Sequence, residues 1–180
     1  MKGASGMLGD VVVYRQLRGE LIMSNRPKKR EVLTPHQEKA KARFKRAVLY
    51  AKRQINDPVL KAFYQPRPSS RFTSAYAAAV GDFLSTPKVH EIDTTRYGGA
   101  AGDEILLKAT DQEFGLSSVR IAVFSAADVL LEEGDPVLQS DAAEDYVYTV
   151  TVVNNILPGT RIVVTVRDRP GNVTVEEKVL

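Results

Sequence analysis

The sequence predicts an α+β fold in two domains. A β-hairpin with two or three helices would occupy residues 1–87, and an all-β sandwich of about seven strands residues 88–180. Three observations predict it. Apolar residues recur at helical spacing between Thr34 and Leu84. From Lys88 onward the apolar period changes to two. The charge changes sign at the same place: residues 1–87 hold 17 Lys+Arg and 6 Asp+Glu, a net of +11, and residues 88–180 hold 8 and 16, a net of −8. The +3 of the whole 180-residue chain conceals that polarity.

The first element is a glycine-rich arm. Gly3, Gly6 and Gly9 recur at every third position and precede the strand-like run Val11-Val12-Val13-Tyr14. A phosphate-binding glycine cluster follows a strand and opens a helix, so the order here is wrong for that role. We read the arm, with Val11, Val13 and Tyr14, as an assembly element. Val11 to Gln16 and Glu20 to Asn25 form a hairpin across Leu17-Arg18-Gly19. An isolated hairpin is marginal in water, so this one needs a partner within the chain or in a neighbour. Arg26-Pro27-Lys28-Lys29-Arg30 follows as a basic connector that Pro27 holds extended.

Thr34-Pro35-His36-Gln37 starts a helix, with Thr34 as cap, Pro35 in the first turn and Gln37 at capping-box spacing. Ala40, Phe44, Ala47, Val48, Ala51 and Ile55 share its apolar face. Lys39, Arg43, Arg46 and Arg53 flank that face on one side, and Lys41, Lys45 and Lys52 on the other. Arg26, Lys28, Lys29, Arg30, Lys39, Arg43 and Arg46 make up a candidate basic patch able to meet phosphate without reading base sequence. Asp57-Pro58 begins a short helix through Tyr64, and a third helix runs from about Phe72 to Leu84. No cluster of Asn, Gln and Arg follows a tight turn, which disfavours base-specific readout.

In the C-terminal half, strands are expected at Val89 to Asp93, Glu104 to Thr110, Val119 to Phe124, Val129 to Glu132, Tyr146 to Val153, Arg161 to Arg167 and Val173 to Val179. Asp168-Arg169-Pro170-Gly171-Asn172 joins the last two. Asp111, Asp128, Asp135, Asp141, Glu144 and Asp145 read as solvated loop acids, since no twelve-residue calcium-loop spacing is present.

Ile105 to Asp111, Ser118 to Phe124 and the T-x-x-D-x-x-G-N run Thr165 to Asn172 resemble bacterial Ig-like or fibronectin-III-like modules over residues 88–180. That resemblance implies an Ig-like sandwich and no particular activity. The antibody-type Cys and Trp are absent. Gly6, Gly9, Val11 to Tyr14, Arg26-Pro27-Lys28, Thr34-x-x-Gln37 and Arg43-Phe44 resemble an uncharacterised protein family of Bacteroidota and their phages over residues 1–60. That second resemblance carries no site residue.

The chain has no cysteine or tryptophan and two histidines, His36 and His90. Thiol catalysis and zinc–thiolate sites are excluded, and no nucleophile–base constellation stands out. We therefore expect no enzyme, no catalytic residue, no cofactor, no metal and no small-molecule substrate. The expected function is that of a non-catalytic assembly protein, a self-associating subunit of a phage virion or of a bacterial surface or injection-type assembly. Its partners would be itself and other subunits. The alternative is a sequence-nonspecific nucleic-acid-binding protein acting through the basic half. No signal-peptide pattern and no apolar run of about 20 residues is present, so synthesis in the cytoplasm without a membrane span is expected, with incorporation into a particle.

Overall fold

A computed structural model describes residues 6–8, 11–17, 20–25, 32–66, 70–111, 114–140 and 144–180. The fold is mixed α+β, with three helices and three antiparallel sheets among these residues. The chain divides into two compact units, residues 1–40 and 41–180. The boundary expected after Pro87 falls inside the larger unit.

The smaller unit holds a three-stranded meander: β1 (Gly6–Leu8), β2 (Val12–Leu17) and β3 (Glu20–Asn25), in the order β1-β2-β3. The hairpin pairs within the chain, with Val12 opposite Asn25 and Leu17 opposite Glu20. The glycine-rich arm contributes β1, which pairs Gly6 with Tyr14.

Helix α1 (Pro35–Asn56) opens as its capping box predicts. Gln37 N–H donates to Thr34 Oγ1 at 3.3 Å, and Thr34 N–H to Gln37 Oε1 at 3.1 Å. Helix α2 (Pro58–Phe63) is capped by Asp57, whose Oδ1 accepts from Val59 and Leu60 N–H. Helix α3 (Ala75–Leu84) starts at the Ser74 cap. Phe72, expected inside that helix, instead lies before it, because the Ser74 cap sets the start. In the larger unit, Ala51, Tyr64, Ala75, Ala78 and Ala79 form a small core, and Phe72 and Phe114 pack against it. The alanines let the helices approach closely, and at Gly81 an added Cβ would overlap the Phe72 ring.

The period-two region forms β4 (Lys88–Asp93), β5 (Glu104–Thr110), β6 (Ser118–Phe124), β7 (Leu130–Gly134), β8 (Val137–Ser140), β9 (Asp145–Thr149), β10 (Arg161–Arg167) and β11 (Val173–Val179). They make two four-stranded antiparallel sheets, β4-β5-β9-β8 and β11-β10-β6-β7. The inward residues of both sheets, among them Ile105, Leu107, Ile121, Val123, Ile162, Val164 and Val166, form one core. Two details differ from expectation. An eighth strand, β8, follows Pro136, within a five-residue stretch (Val137 to Asp141) too short to show a clear period. On β11 the valines point outward, leaving Val173, Val175 and Val179 exposed. This edge strand instead turns Thr174 and Lys178 toward β4, where Thr174 Oγ1 donates to Pro87 O and Lys178 Nζ to Ile92 O, both at 2.7 Å.

Candidate functional site

The described part of the assembly arm is the β1–β3 sheet. Val12 and Tyr14 share one face with Leu21 and Met23, and Val13 shares the other with Ile22. Apolar side chains thus stand on both faces. No described side chain of this sheet is buried, and Leu21, Ile22 and Met23 remain 57%, 38% and 66% exposed. Val11, just before β2, is exposed as well. The edges are β1 and β3. Gly3 and Gly9 lie outside the described residues.

The basic patch is divided. Arg26, Lys28, Lys29 and Arg30 lie outside the described residues. Lys39 and Arg46 are exposed on α1. Arg43 is not available as a surface cation: it is half-buried and donates through Nη2 to Leu84 O at 3.1 Å. The buried side of α1 is centred on Ala47 and Ala51, and Phe44, expected in the core, is 54% exposed. Its opposite face carries Lys41, Lys45, Arg46, Lys52 and Arg53, all exposed, around Leu49. Among the described residues none of these five makes an ion pair.

Sequence reasoning missed a buried carboxyl cluster where the helices meet the two β-sheets. Asp82 at the end of α3, Asp111 after β5 and Asp168 after β10 are 0%, 2% and 1% exposed. Asp111, read from sequence as a solvated loop acid, is therefore internal, because Phe114 just beyond it inserts among Phe63, Tyr64 and Phe72. Tyr64 Oη donates to Asp82 Oδ2 at 2.5 Å and lies 2.8 Å from Tyr50 Oη. Ser85 Oγ is 3.4 Å from Asp111 Oδ1. Asp168 is fully engaged: its Oδ1 accepts from Gly171 and Asn172 N–H at 2.8 and 2.6 Å, and its Oδ2 from Asn172 Nδ2 at 2.7 Å. Asn172 Nδ2 also reaches Ser85 O at 2.9 Å and Phe83 O at 3.2 Å, tying the end of α3 to the β10–β11 turn.

Asp82 Oδ1 and Asp111 Oδ2 are buried without a hydrogen-bond partner. Burial, with Asp111 and Asp168 adding to it and the Tyr64 bond opposing, pushes the Asp82 carboxyl up to about 7. Burial and then Asp168 push Asp111 up to about 6. Desolvation and its bonds to Asp82 and Tyr50 hold the Tyr64 phenol protonated. Among the described residues no group of three or more His, Cys, Asp or Glu is arranged to hold a metal ion. The sequence did carry a signal: Asp82 is the only charged residue of the apolar helix Ala-Tyr-Ala-Ala-Ala-Val-Gly-Asp-Phe-Leu. His90, by contrast, is exposed on β4 and pairs with Thr110 Oγ1 at 2.9 Å.

The outer face of β4-β5-β9-β8 carries a groove of about 400 Å3. Leu106 and Val147, opposite one another in the register, form its floor. Among the described residues no helix is long and apolar enough to cross a membrane. The chain matches no family profile and no curated protein.

Proposed function

We propose that this protein is a non-catalytic structural subunit that self-associates, with the β1–β3 sheet as the arm that engages a neighbouring copy. The observation that carries the reading is that this sheet has apolar side chains on both faces and, among the described residues, leaves Leu21, Ile22 and Met23 exposed and Val12, Val13 and Tyr14 half-buried. A three-stranded sheet needs an apolar face packed against something to persist in water, and exposed edges invite strand addition. Covering Leu21, Ile22 and Met23 stabilises an assembly by about 25 cal/mol per Å2 of apolar area removed from water. A phage virion or a bacterial surface or injection-type assembly is the setting we favour, with cytoplasmic synthesis before incorporation.

We also read residues 88–180 as an Ig-like module. Lettered in chain order from A, with β7 as C′, the two sheets run A-B-E-D and G-F-C-C′. That order is the support for the reading, since Ig-type sandwiches are built from A-B-E-D and G-F-C layers with C′ added to the second. Such modules serve as scaffolds and carry no activity by themselves.

A second reading rests on the exposed cations of α1. A face with five exposed Lys and Arg side chains, in no ion pair among the described residues, suits nonspecific contact with nucleic-acid phosphate. Sedimentation velocity at low and high salt tests the first reading: particles larger than the 19.8 kDa chain are expected at both. A monomer at every concentration would overturn it. An electrophoretic shift with duplex and single-stranded DNA at ~50 mM salt tests the second, and no shift there removes it.

A further inference from the structure

We propose that the groove on the outer face of the β4-β5-β9-β8 sheet receives helix α1 of a neighbouring copy, joining copies head to tail. This rests on the self-association reading and gives it a second contact, distinct from the β1–β3 sheet.

The groove is apolar at its floor and acidic on one side. Leu106 alternates with the buried Ile105 and Leu107, and Val147 precedes the buried Tyr148, so both project away from the core. Glu91, Asp93 and Asp145 line it against Arg96 and Lys108. Lys108 stands opposite Glu91 in the register and 3.9 Å from Asp145, Arg96 lies 2.9 Å from Glu104, and Asp93 Oδ1 accepts from Thr95 N–H at 2.9 Å. The groove therefore presents a small excess of negative charge beside an aliphatic floor.

Helix α1 presents the complement. Leu49 is 55% exposed at the middle of the face opposite Ala47 and Ala51. Lys45 and Lys52 border it on one side, Arg46 and Arg53 on the other, in rows seven residues apart. Seven residues of helix rise about 10.5 Å, so each row runs alongside the central leucine. A volume of about 400 Å3 accepts one leucine with the aliphatic stems of its neighbours, but not the body of a helix. The stems would lie on Leu106 and Val147 while the charged ends reach Glu91 and Asp93. The same copy offers the helix to one neighbour and the groove to another. This is a heterologous contact, which closes into rings or extends into filaments. Opposite charges steer and orient that encounter.

The test uses the absence of cysteine in the chain. Leu49→Cys is made in one population and Leu106→Cys in a second, and the two are mixed under mild oxidation. The expected product is a disulfide-linked heterodimer, at least fivefold more abundant than with Val175→Cys, on the exposed side of β11, replacing Leu106→Cys. It should fall several-fold at about 1 M salt, where the screening length is ~3 Å. Adding Glu91→Lys with Asp93→Lys to the groove population should abolish it. Adding Lys45→Glu with Arg46→Glu to the helix population as well should restore it. Cross-linking no better than the Val175→Cys control, in a protein that still assembles, overturns the helix–groove contact and leaves self-association standing. A wild-type protein that stays monomeric overturns both.

Discussion

The two β-rich regions of this molecule solve the same problem to different extents. On β10, in the sheets of residues 88–180, alternation is strict: Ile162, Val164 and Val166 are fully buried while Arg161, Val163, Thr165 and Arg167 face outward. In the β1–β3 sheet, alternation fails. Leu21, Ile22 and Met23 are consecutive, so one of the three must face opposite to the other two, and neither face is hidden. The first pattern completes a core within one chain. The second leaves a core half-built. What separates the two regions is whether a second layer covers the apolar face: Ile162, Val164 and Val166 meet the facing sheet, whereas Leu21, Ile22 and Met23 stay exposed.

The comparison breaks most sharply if stability is spread evenly between the two regions. Ile162→Ala should cost about 2–5 kcal/mol of folding free energy by leaving a cavity, read as a lower denaturant midpoint. Met23→Ala should change the same midpoint by no more than about 0.5 kcal/mol. Equal effects would contradict the distinction.

The carboxyl cluster sharpens it next, because it loads the junction of the helices with the two β-sheets of residues 88–180. Asp82 and Asp111 have native pKa values raised to about 7 and about 6, above the 3.8 of a free carboxyl. The stability they hold is complete below about pH 4 and is lost as pH rises through 6 to 7. Thermal melting of the larger unit should therefore occur at higher temperature at pH 5 than at pH 8, by an equivalent of roughly 2–4 kcal/mol. Asp82→Asn, neutral at every pH, should remove most of that difference and raise the pH 8 melting point. A flat profile in the wild type would contradict the burial of these groups as acids.

Asn172→Ala should cost about 1–3 kcal/mol, because Ser85 O, Phe83 O and Asp168 Oδ2 lose a shared donor. Hydrogen exchange should then accelerate first in α3. Arg120→Ala, which breaks an exposed pair with Glu133 at 2.7 Å, should cost at most about 1 kcal/mol in the same melting assay.

Periodicity and capping were legible in the sequence because they are local. The start of α1 at Thr34-Pro35, the Asp57 cap and the alternating strands all follow from neighbours within four residues. Residues governed by long-range packing were not. Nothing near Phe44 in sequence says that α1 turns Ala47 inward and leaves that ring exposed, or that Arg43 is occupied by Leu84 O from the end of α3. Asp111 looked like any loop acid because the Phe114 that seals it packs on helices far away in sequence. The exposed cations of α1 were legible as a charge count. The groove was not, since Leu106 and Val147 sit on strands joined only by the sheet register.

The most direct measurement is light-scattering mass against concentration for the wild type and for Leu21→Lys/Met23→Lys. The account predicts a wild-type mass above 19.8 kDa that grows with concentration. The variant should show at least a tenfold weaker association while its far-UV circular dichroism still shows the helices and sheets of the larger unit. A variant that associates as strongly as the wild type, or a wild type at 19.8 kDa throughout, would contradict it.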